Sequence, residues 1–422
     1  MGTYMKLFTN LYFAMFIGAL TLLNIGRKLS WVALGWFVYE TTGAASAIGI
    51  VLSAATIAPL ISSILVGGIL DQYDRKKTMA IENAVRGLLI LLIPLFHWSG
   101  VLTLGVLITV MFIDGFLSSF TKVGASSILP AFVESEELEA GNAVISMVSQ
   151  IGTLLGPALG GFLTAWIGAP GTLLVNVVLF FSATIIYIGI PRHHYHQGME
   201  HDPSGPSSGW MSRLHAYGRD TKAGIQFIMQ YRILIFIACV TLLFNFTYAP
   251  FEAVLPAFVN DALQAEASVL GMMWSTFSVG ALTGAALWIR LSMKLPYSYV
   301  LGVVIILWGL APFTVAFLNE PWLIYIVMFL GGVFYAPYNI VAPTLKQRLV
   351  PNALRGRVFG VYNLIAGLGL PIGMYLGGLS GDLIGLTETV ALSGVATVLL
   401  GLLVMIAKPL RIRHVSHLQQ PS

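Results

Sequence analysis

Twelve stretches of predominantly apolar residues recur along this chain, each close to or above the roughly 20 residues that a bilayer-spanning helix requires. They run over 10–39, 46–70, 78–97, 101–124, 142–167 and 171–190, then over 233–258, 268–291, 297–318, 321–344, 358–385 and 387–407. A backbone crossing hydrocarbon must satisfy its own polar groups, so each stretch is read as a helix. Composition agrees. Of the 422 residues, 57% are hydrophobic and 9% charged, against roughly 25% charged in a water-soluble domain. The expected fold class is an all-α membrane protein of twelve transmembrane helices. Cys239, the single cysteine, lies in an apolar run and offers neither a disulfide nor a cysteine metal site. The stretch from Met1 to Phe16 lacks a cleavable signal pattern, so the first span is expected to be retained.

The loops are short except at 191–232, where His193, His194, His196, Pro203, Gly205 and Pro206 mark a polar, breaker-rich linker. This divides the chain into a six-helix bundle over 1–190, a linker over 191–232, a second six-helix bundle over 233–407 and a tail over 408–422. Within the linker, the mixed apolar and basic segment from Trp210 to Met229 reads as an amphipathic helix on a membrane face. The two halves echo one another. Gly152, Gly156 and Gly160 recur every four residues in span five, and Gly369, Gly373, Gly377 and Gly381 do so in span eleven. Small residues at this spacing let helix backbones approach closely, and duplicated halves place a substrate site between repeats.

Of the 22 Lys and Arg, all but Arg27, Lys28 and Arg86 fall on the side of the membrane that holds both termini. The positive-inside rule makes that side cytoplasmic. The basic balance of the chain therefore reflects topology, and nucleic acid is not expected as a partner. Trp98, Trp166 and Trp322 lie at span ends and read as interface anchors.

Six ionisable residues fall inside spans: Arg27, Lys28, Glu82, Arg86, Asp114 and Glu252. Charges at this depth are costly and normally meet a partner or a water-filled cavity. At a rise of 1.5 Å per residue, Arg27 lies roughly 4 Å beyond the midplane of span one and Asp114 roughly 2 Å to the cytoplasmic side in span four. Asn24 and Asn245 are near the middles of spans one and seven. Asn24, Arg27, Lys28, Asp114, Asn245 and Glu252 are thus the candidate substrate-cavity residues. Asp114 and Glu252 are the candidate proton carriers, and Arg27 or Lys28 the attraction for an anionic group. The alternative is structural: an Arg27–Asp114 ion pair that fixes helix packing. Glu82 and Arg86, four apart on one helix face, read as a local salt bridge. The histidines of the linker lack companions at ligand spacing, so no metal is expected, and no serine–histidine pair or phosphate loop suggests an enzyme.

Between spans two and three stands Gly67-Gly68-Ile69-Leu70-Asp71-Gln72-Tyr73-Asp74-Arg75-Lys76-Lys77. Gly67, Asp71, Arg75 and Lys76 resemble the signature loop of the major facilitator superfamily. Gln72 and Asp74 depart from it, and the ending Asp74-Arg75-Lys76-Lys77 is similar to the subgroup containing macrolide efflux proteins and the enterobactin exporter. Asp114-Gly115-Phe116, Tyr248-Ala249-Pro250, Arg355-Gly356-Arg357-Val358 and Leu370-Pro371-Ile372-Gly373 resemble the same subgroup. Gly152, Gly156-Pro157 and Gly160-Gly161 resemble the span-five motif of drug antiporters. The arginine usual in span four of such antiporters is absent, Met111 standing near its position.

The resemblance implies an alternating-access transporter with Gly67, Asp71, Arg75, Lys76, Gly156 and Pro157 in gating roles, Asp71 serving as the cytoplasmic latch with Arg75 and Lys76 as its partners. It implies export of a medium-sized organic molecule such as a siderophore or drug, driven by the proton gradient with no cofactor. The expected partners are protons, the bilayer and a small substrate with an anionic group. The chain is expected to work as a monomer in the inner membrane of a bacterium. An importer or lipid flippase of the same fold, or a non-transporting membrane sensor, are the alternatives.

Overall fold

The computed structural model describes residues 2–70, 73–191, 222, 224–291, 296–351 and 354–407. Among these residues there is no β-strand. A short helix, α1 (Gly2–Thr9), precedes α2 (Leu11–Thr42), α3 (Ala45–Leu70), α4 (Arg75–Trp98), α5 (Leu104–Ile128) and α6 (Leu138–Gly189). After the linker come α7 (Arg232–Ala257), α8 (Ala267–Leu291), α9 (Tyr297–Val315), α10 (Pro321–Leu349), α11 (Arg355–Gly367), α12 (Gly369–Ile384) and α13 (Leu386–Ile406).

Among the described residues, ten helical segments are long and apolar enough to cross a membrane. Two further crossings follow from local chemistry. The 52-residue α6 is broken at Gly168, whose φ of 76° and ψ of 163° are open to glycine and strained for any other residue, so α6 holds two spans. The 32-residue α2 is long enough, but Asn24, Arg27 and Lys28 interrupt its apolar run. Segments α11 and α12 together make one of the ten, with a local break at Leu368. The protein is thus an all-α multi-pass membrane protein of twelve spans. Trp98, Trp166 and Trp322 are exposed at span ends, the placement of amphipathic rings at a lipid–water boundary.

By internal contacts the chain forms two units. The first is Met1–Phe37 with Ala54–Gly209; the second is Val38–Ser53 with Trp210–Ser422. In the first unit α4 packs along α6 and α5. In the second, α9 packs on α13, α10 on α8, and α12 on α7.

The glycine stripes set the tightest of these contacts. In the first unit a Cβ on Gly152 would lie 2.7 Å from the Asn24 side chain, and one on Gly160 would lie 2.6 Å from Leu29 O. Gly156 faces Lys28 and Ile25 on the same helix. In the second unit a Cβ on Gly373 would lie 2.5 Å from Phe246 O, while Gly369 and Gly377 face Leu242 and Pro250. Both stripes do the same work: they remove side chains so that α6 closes on α2 and α12 closes on α7.

Of the expected amphipathic helix, Trp210–Thr221 lie outside the described residues, as do the linker histidines and the tail. Residues 224–230 are helical, with Ile228 buried.

Candidate functional site

Inside the first unit, Arg86 organises the intramembrane charge. It is buried on α4, one helical turn beyond Glu82, and its Nη1 donates to Glu82 Oε1 at 3.1 Å. Across to α5, its Nε donates to Asp114 Oδ1 at 2.8 Å and its Nη2 to Asp114 Oδ2 at 3.4 Å, a two-pronged contact. The guanidinium carbon sits 4.7 Å from the centre of the Phe180 ring on α6. Thr121 Oγ1 donates to Glu82 Oε2 at 2.5 Å, and Asn83 Nδ2 donates to Thr121 Oγ1 at 3.0 Å. One guanidinium therefore holds two carboxylates, each tied into a second helix. The two acids differ in access: the Glu82 side chain is 3% exposed and that of Asp114 13%.

The local Glu82–Arg86 bridge expected from spacing is present. The expected Arg27–Asp114 pair is not, because Arg86 occupies both carboxylate oxygens of Asp114. Arg86, near the middle of span three, lies at a depth similar to that of Arg27 and Asp114. What spacing did not supply was adjacency: α4 and α5 are consecutive and pack directly. Arg27 on α2 instead donates from Nη2 to Asn24 Oδ1 at 3.3 Å, one turn back on its own helix. Asn24 in turn donates to Leu20 O. The stripe on α6 fixes where these side chains stand, since Gly152 abuts Asn24 and Gly156 abuts Lys28. Pro157 is buried beside Gly156.

The second unit is built differently. Phe244, Tyr248, Phe251, Trp274, Phe277, Trp308, Tyr335 and Tyr338 form a continuous set of ring contacts, with Trp308 in van der Waals range of Tyr248, Phe251, Phe277 and Tyr335 at centroid distances of 5.1–6.5 Å. Hydroxyls thread through it. Tyr338 donates to Thr241 Oγ1 at 2.8 Å, and Thr241 also bonds Tyr362. Side-chain hydrogen bonds link Tyr248 to Tyr335 and Tyr335 to Asn339. Glu252, half-buried on α7, acts electrostatically on the Tyr248 and Tyr335 hydroxyls. Asn245 spends its amide on α11, donating to Ala366 O at 2.8 Å. The aromatic–hydroxyl set escaped sequence reasoning because aromatic residues in apolar spans carry no spacing that separates core from site.

Also in the second unit, the turn joining α2 to α3 is held by an acid that the sequence did not single out. Asp382 Oδ1 and Oδ2 accept from the backbone N–H groups of Ala45 and Ser46 at 2.7 and 3.0 Å, at the N-terminus of α3. A carboxylate is favoured at a helix N-terminus. Tyr39 donates to Asp261, and Ser53 Oγ donates to Pro371 O at 2.7 Å. Gly49 and Gly378 meet backbone to backbone beside them.

At the signature loop, Gly67 lies in α3, whereas Asp71 is outside the described residues. Asp74 caps α4, its carboxylate accepting from Lys77 N at 3.1 Å. Arg75 Nη1 donates to Ser127 O at 2.7 Å at the end of α5, and buried Lys76 Nζ donates to Ile190 O at 2.5 Å just past α6. Cations at helix C-termini satisfy carbonyls that have no partner within the helix. Among the described residues no three His, Cys, Asp or Glu gather to hold a metal ion.

Comparison with known proteins adds to this geometry. The family described as transmembrane secretion effector matches residues 3–421. Similar relatives include the multidrug efflux pump Tap of Mycolicibacterium fortuitum, 26% identical over 392 residues, covering 92% of this chain and 93% of the relative. The staphyloferrin A transporter of Staphylococcus aureus is 23% identical over 388 residues, covering 91% and 93%. Among solved structures, the nucleoside transporter NupG superposes with a TM-score of 0.70 at 16% identity, covering 92% of this chain and 97% of that one. A D-xylose–proton symporter gives 0.69 at 14% identity, covering 96% and 99%. At such identities these structures bear on the fold alone.

Proposed function

Since the chain belongs to the transmembrane secretion effector family of the major facilitator superfamily, and is a transporter and not an enzyme, we propose that it exports a medium-sized organic molecule in exchange for protons. The relatives named as a multidrug efflux pump and a siderophore transporter support the substrate class. The Lys and Arg distribution supports an orientation with both termini in the cytoplasm of a bacterium, and the protein works as a monomer in the inner membrane.

The observation that carries the proton reading is the Arg86 network. Its two carboxylates lie within membrane spans and share one guanidinium. A proton on Asp114 removes the charge that holds Arg86 on α5 and leaves Arg86 to Glu82 alone. Loss of that proton restores the two-pronged contact. Asp114 is the more accessible acid, so it is the exchange point, and Glu82 the internal counter-charge. Protonation from the outside favours the return of the empty transporter, and substrate entering from the cytoplasm displaces the proton. Glu252 is the second candidate carrier, in the unit whose rings and hydroxyls suit the body of an organic substrate. Gly67, Asp71, Arg75, Lys76, Gly156 and Pro157 serve the gating motions.

Inside-out membrane vesicles test this reading. An imposed interior-acid gradient should drive a transported compound into the vesicles, and Asp114→Asn should abolish that uptake while the protein still inserts and binds. Gradient-driven movement in the opposite sense, as in an importer, would overturn export. Unchanged uptake in Asp114→Asn would overturn the assignment of the carrier.

A further inference from the structure

One cation of the second unit is held by rings instead of by acids. Lys346 stands in the last turn of α10. Its Nζ lies 3.7 Å from the centre of the Tyr362 ring and 5.6 Å from that of Phe359, both on α11. Phe359 and Tyr362 are three residues apart and so share a helix face. Tyr362 is fixed in turn: its hydroxyl donates to Ile237 O at 3.3 Å and bonds Thr241 Oγ1 on α7. Among the described residues the Lys346 ammonium meets neither a hydrogen-bond acceptor nor a carboxylate. No Asp or Glu occurs between Glu320 and Asp382, so α10 and α11 supply no counter-charge. The acid of α7, Glu252, is eleven residues beyond Thr241, about 16 Å along that helix.

Two ordinary duties of such a lysine are filled or declined here. The C-terminal carbonyls of α10 are served by Arg355, which donates to Gln347 O at 3.0 Å and Val350 O at 3.3 Å. A lysine near a membrane boundary can also extend its ammonium outward to water, as the exposed Arg348 is placed to do. Helical side chains lean toward the N-terminus, which for Lys346 means into the span, and there it lies on Tyr362. A ring face attracts a cation without accepting all of its three N–H groups. Lys346 and Phe359 are half-buried, over a floor of buried Tyr362 and Tyr338. The donors left over are therefore within reach of a ligand. Behind them the path leads to the aromatic interior. Tyr338, eight residues or about 12 Å back along α10, donates to Thr241, and its ring lies 4.7 Å from Phe244. Phe244 in turn meets Tyr248 and Tyr335.

We infer that Lys346, backed by Tyr362 and Phe359, binds the carboxylate or phosphate of an aromatic organic molecule at the end of the aromatic interior of the second unit. Lys346 supplies a point charge with free donors, and the half-buried Phe359 ring supplies a face for a flat body beside the anion. That the bound molecule is also the one transported rests on the exporter reading; the binding site does not.

The test uses the purified full-length protein in detergent and two dyes with related xanthene rings and opposite charge, carboxyfluorescein and rhodamine 6G, followed by fluorescence anisotropy. Lys346→Gln should weaken carboxyfluorescein by about tenfold or more, the loss of one charge-assisted contact, and leave rhodamine 6G unchanged. Lys346→Arg should keep carboxyfluorescein binding. Phe359→Leu should weaken it by about threefold, the loss of one exposed cation–ring contact. Thermal unfolding of Lys346→Gln should match wild type; if that variant does not fold, Lys346→Arg and Phe359→Leu decide. No carboxyfluorescein binding, full binding by Lys346→Gln or by Phe359→Leu, or loss of binding in Lys346→Arg would each overturn the site and leave Lys346 a structural cation. Displacement of carboxyfluorescein by phosphatidylglycerol, with phosphatidylcholine inert, would overturn it by assigning Lys346 to a lipid headgroup. Vesicle flux separates the site from export: inward transport of the bound dye sinks export and keeps the site, whereas outward transport with binding indifferent to Lys346 sinks the site and keeps export.

Discussion

The interiors of the two units are made from one scaffold and two chemistries. Both close a glycine-striped helix on a partner: α6 on α2 in the first unit, α12 on α7 in the second. Yet the first unit places Arg27, Glu82, Arg86 and Asp114 at its centre, and the second Tyr248, Phe277, Trp308, Tyr335 and Tyr338 around Glu252. Backbone proximity is a requirement of packing, so it is shared. The central side chains are not needed for closure and have been free to differ. On the present account the charged unit handles the proton, and the aromatic unit handles the body of the substrate.

The largest expected effect breaks the charged interior. Arg86→Met leaves two buried carboxylates without a counter-charge and should destabilise the protein by about 3–5 kcal/mol, read by thermal unfolding in detergent. Restoring neutrality with Glu82→Gln and Asp114→Asn in the same protein should recover much of that loss. Failure to recover would mean that Arg86 acts through packing on Phe180 rather than through charge.

Next come the stripes, where the units should respond alike. Gly160→Leu and Gly373→Leu each drive a side chain into a neighbouring backbone, at a cost of about 1–3 kcal/mol or more, and both should abolish transport. A tolerant Gly373 beside an intolerant Gly160 would show that the two closures are not equivalent.

Tyr335→Phe probes the aromatic interior. It removes one hydroxyl from the link between Tyr248 and Asn339 and should cost about 0.5–1.5 kcal/mol. It should shift relative affinities among substrates without changing the protons exchanged per molecule. A change in proton count would move part of the coupling into the second unit.

The smallest effect is a control outside the membrane. Lys6 bridges Glu137 at 2.8 Å on the surface of the first unit. The bridge holds the Lys6 ammonium above its ordinary value and the Glu137 carboxyl below its own. The Glu137 contribution is present above that group's unfolded value and fades as pH falls through its folded one. The Lys6 contribution fades as pH rises through the raised value. Lys6 is exposed and the pair lies outside the spans, so Glu137→Gln should change unfolding and flux little at neutral pH. Charge is expected to count most inside the spans.

Much of this was legible in the sequence, for physical reasons. Hydrocarbon forces twelve apolar runs and four-residue glycine spacing forces close contacts, so the spans and both stripes could be read from residue order. Pairing was not legible. Arg27, Arg86 and Asp114 have similar depths, and only the adjacency of α4 and α5 assigns Asp114 to Arg86. Asp382 was missed because an acid among glycines in span eleven gives no sign that it caps α3, more than three hundred residues earlier.

The division of labour is tested most directly by counting protons released when a transported compound is added to purified protein in weakly buffered detergent solution. Wild type should release protons on binding. Asp114→Asn should bind and release none, and Tyr335→Phe should bind more weakly with the same number released per bound molecule. Full release from Asp114→Asn, or silence from Glu252→Gln with Asp114 intact, would contradict the account by placing the proton in the aromatic unit.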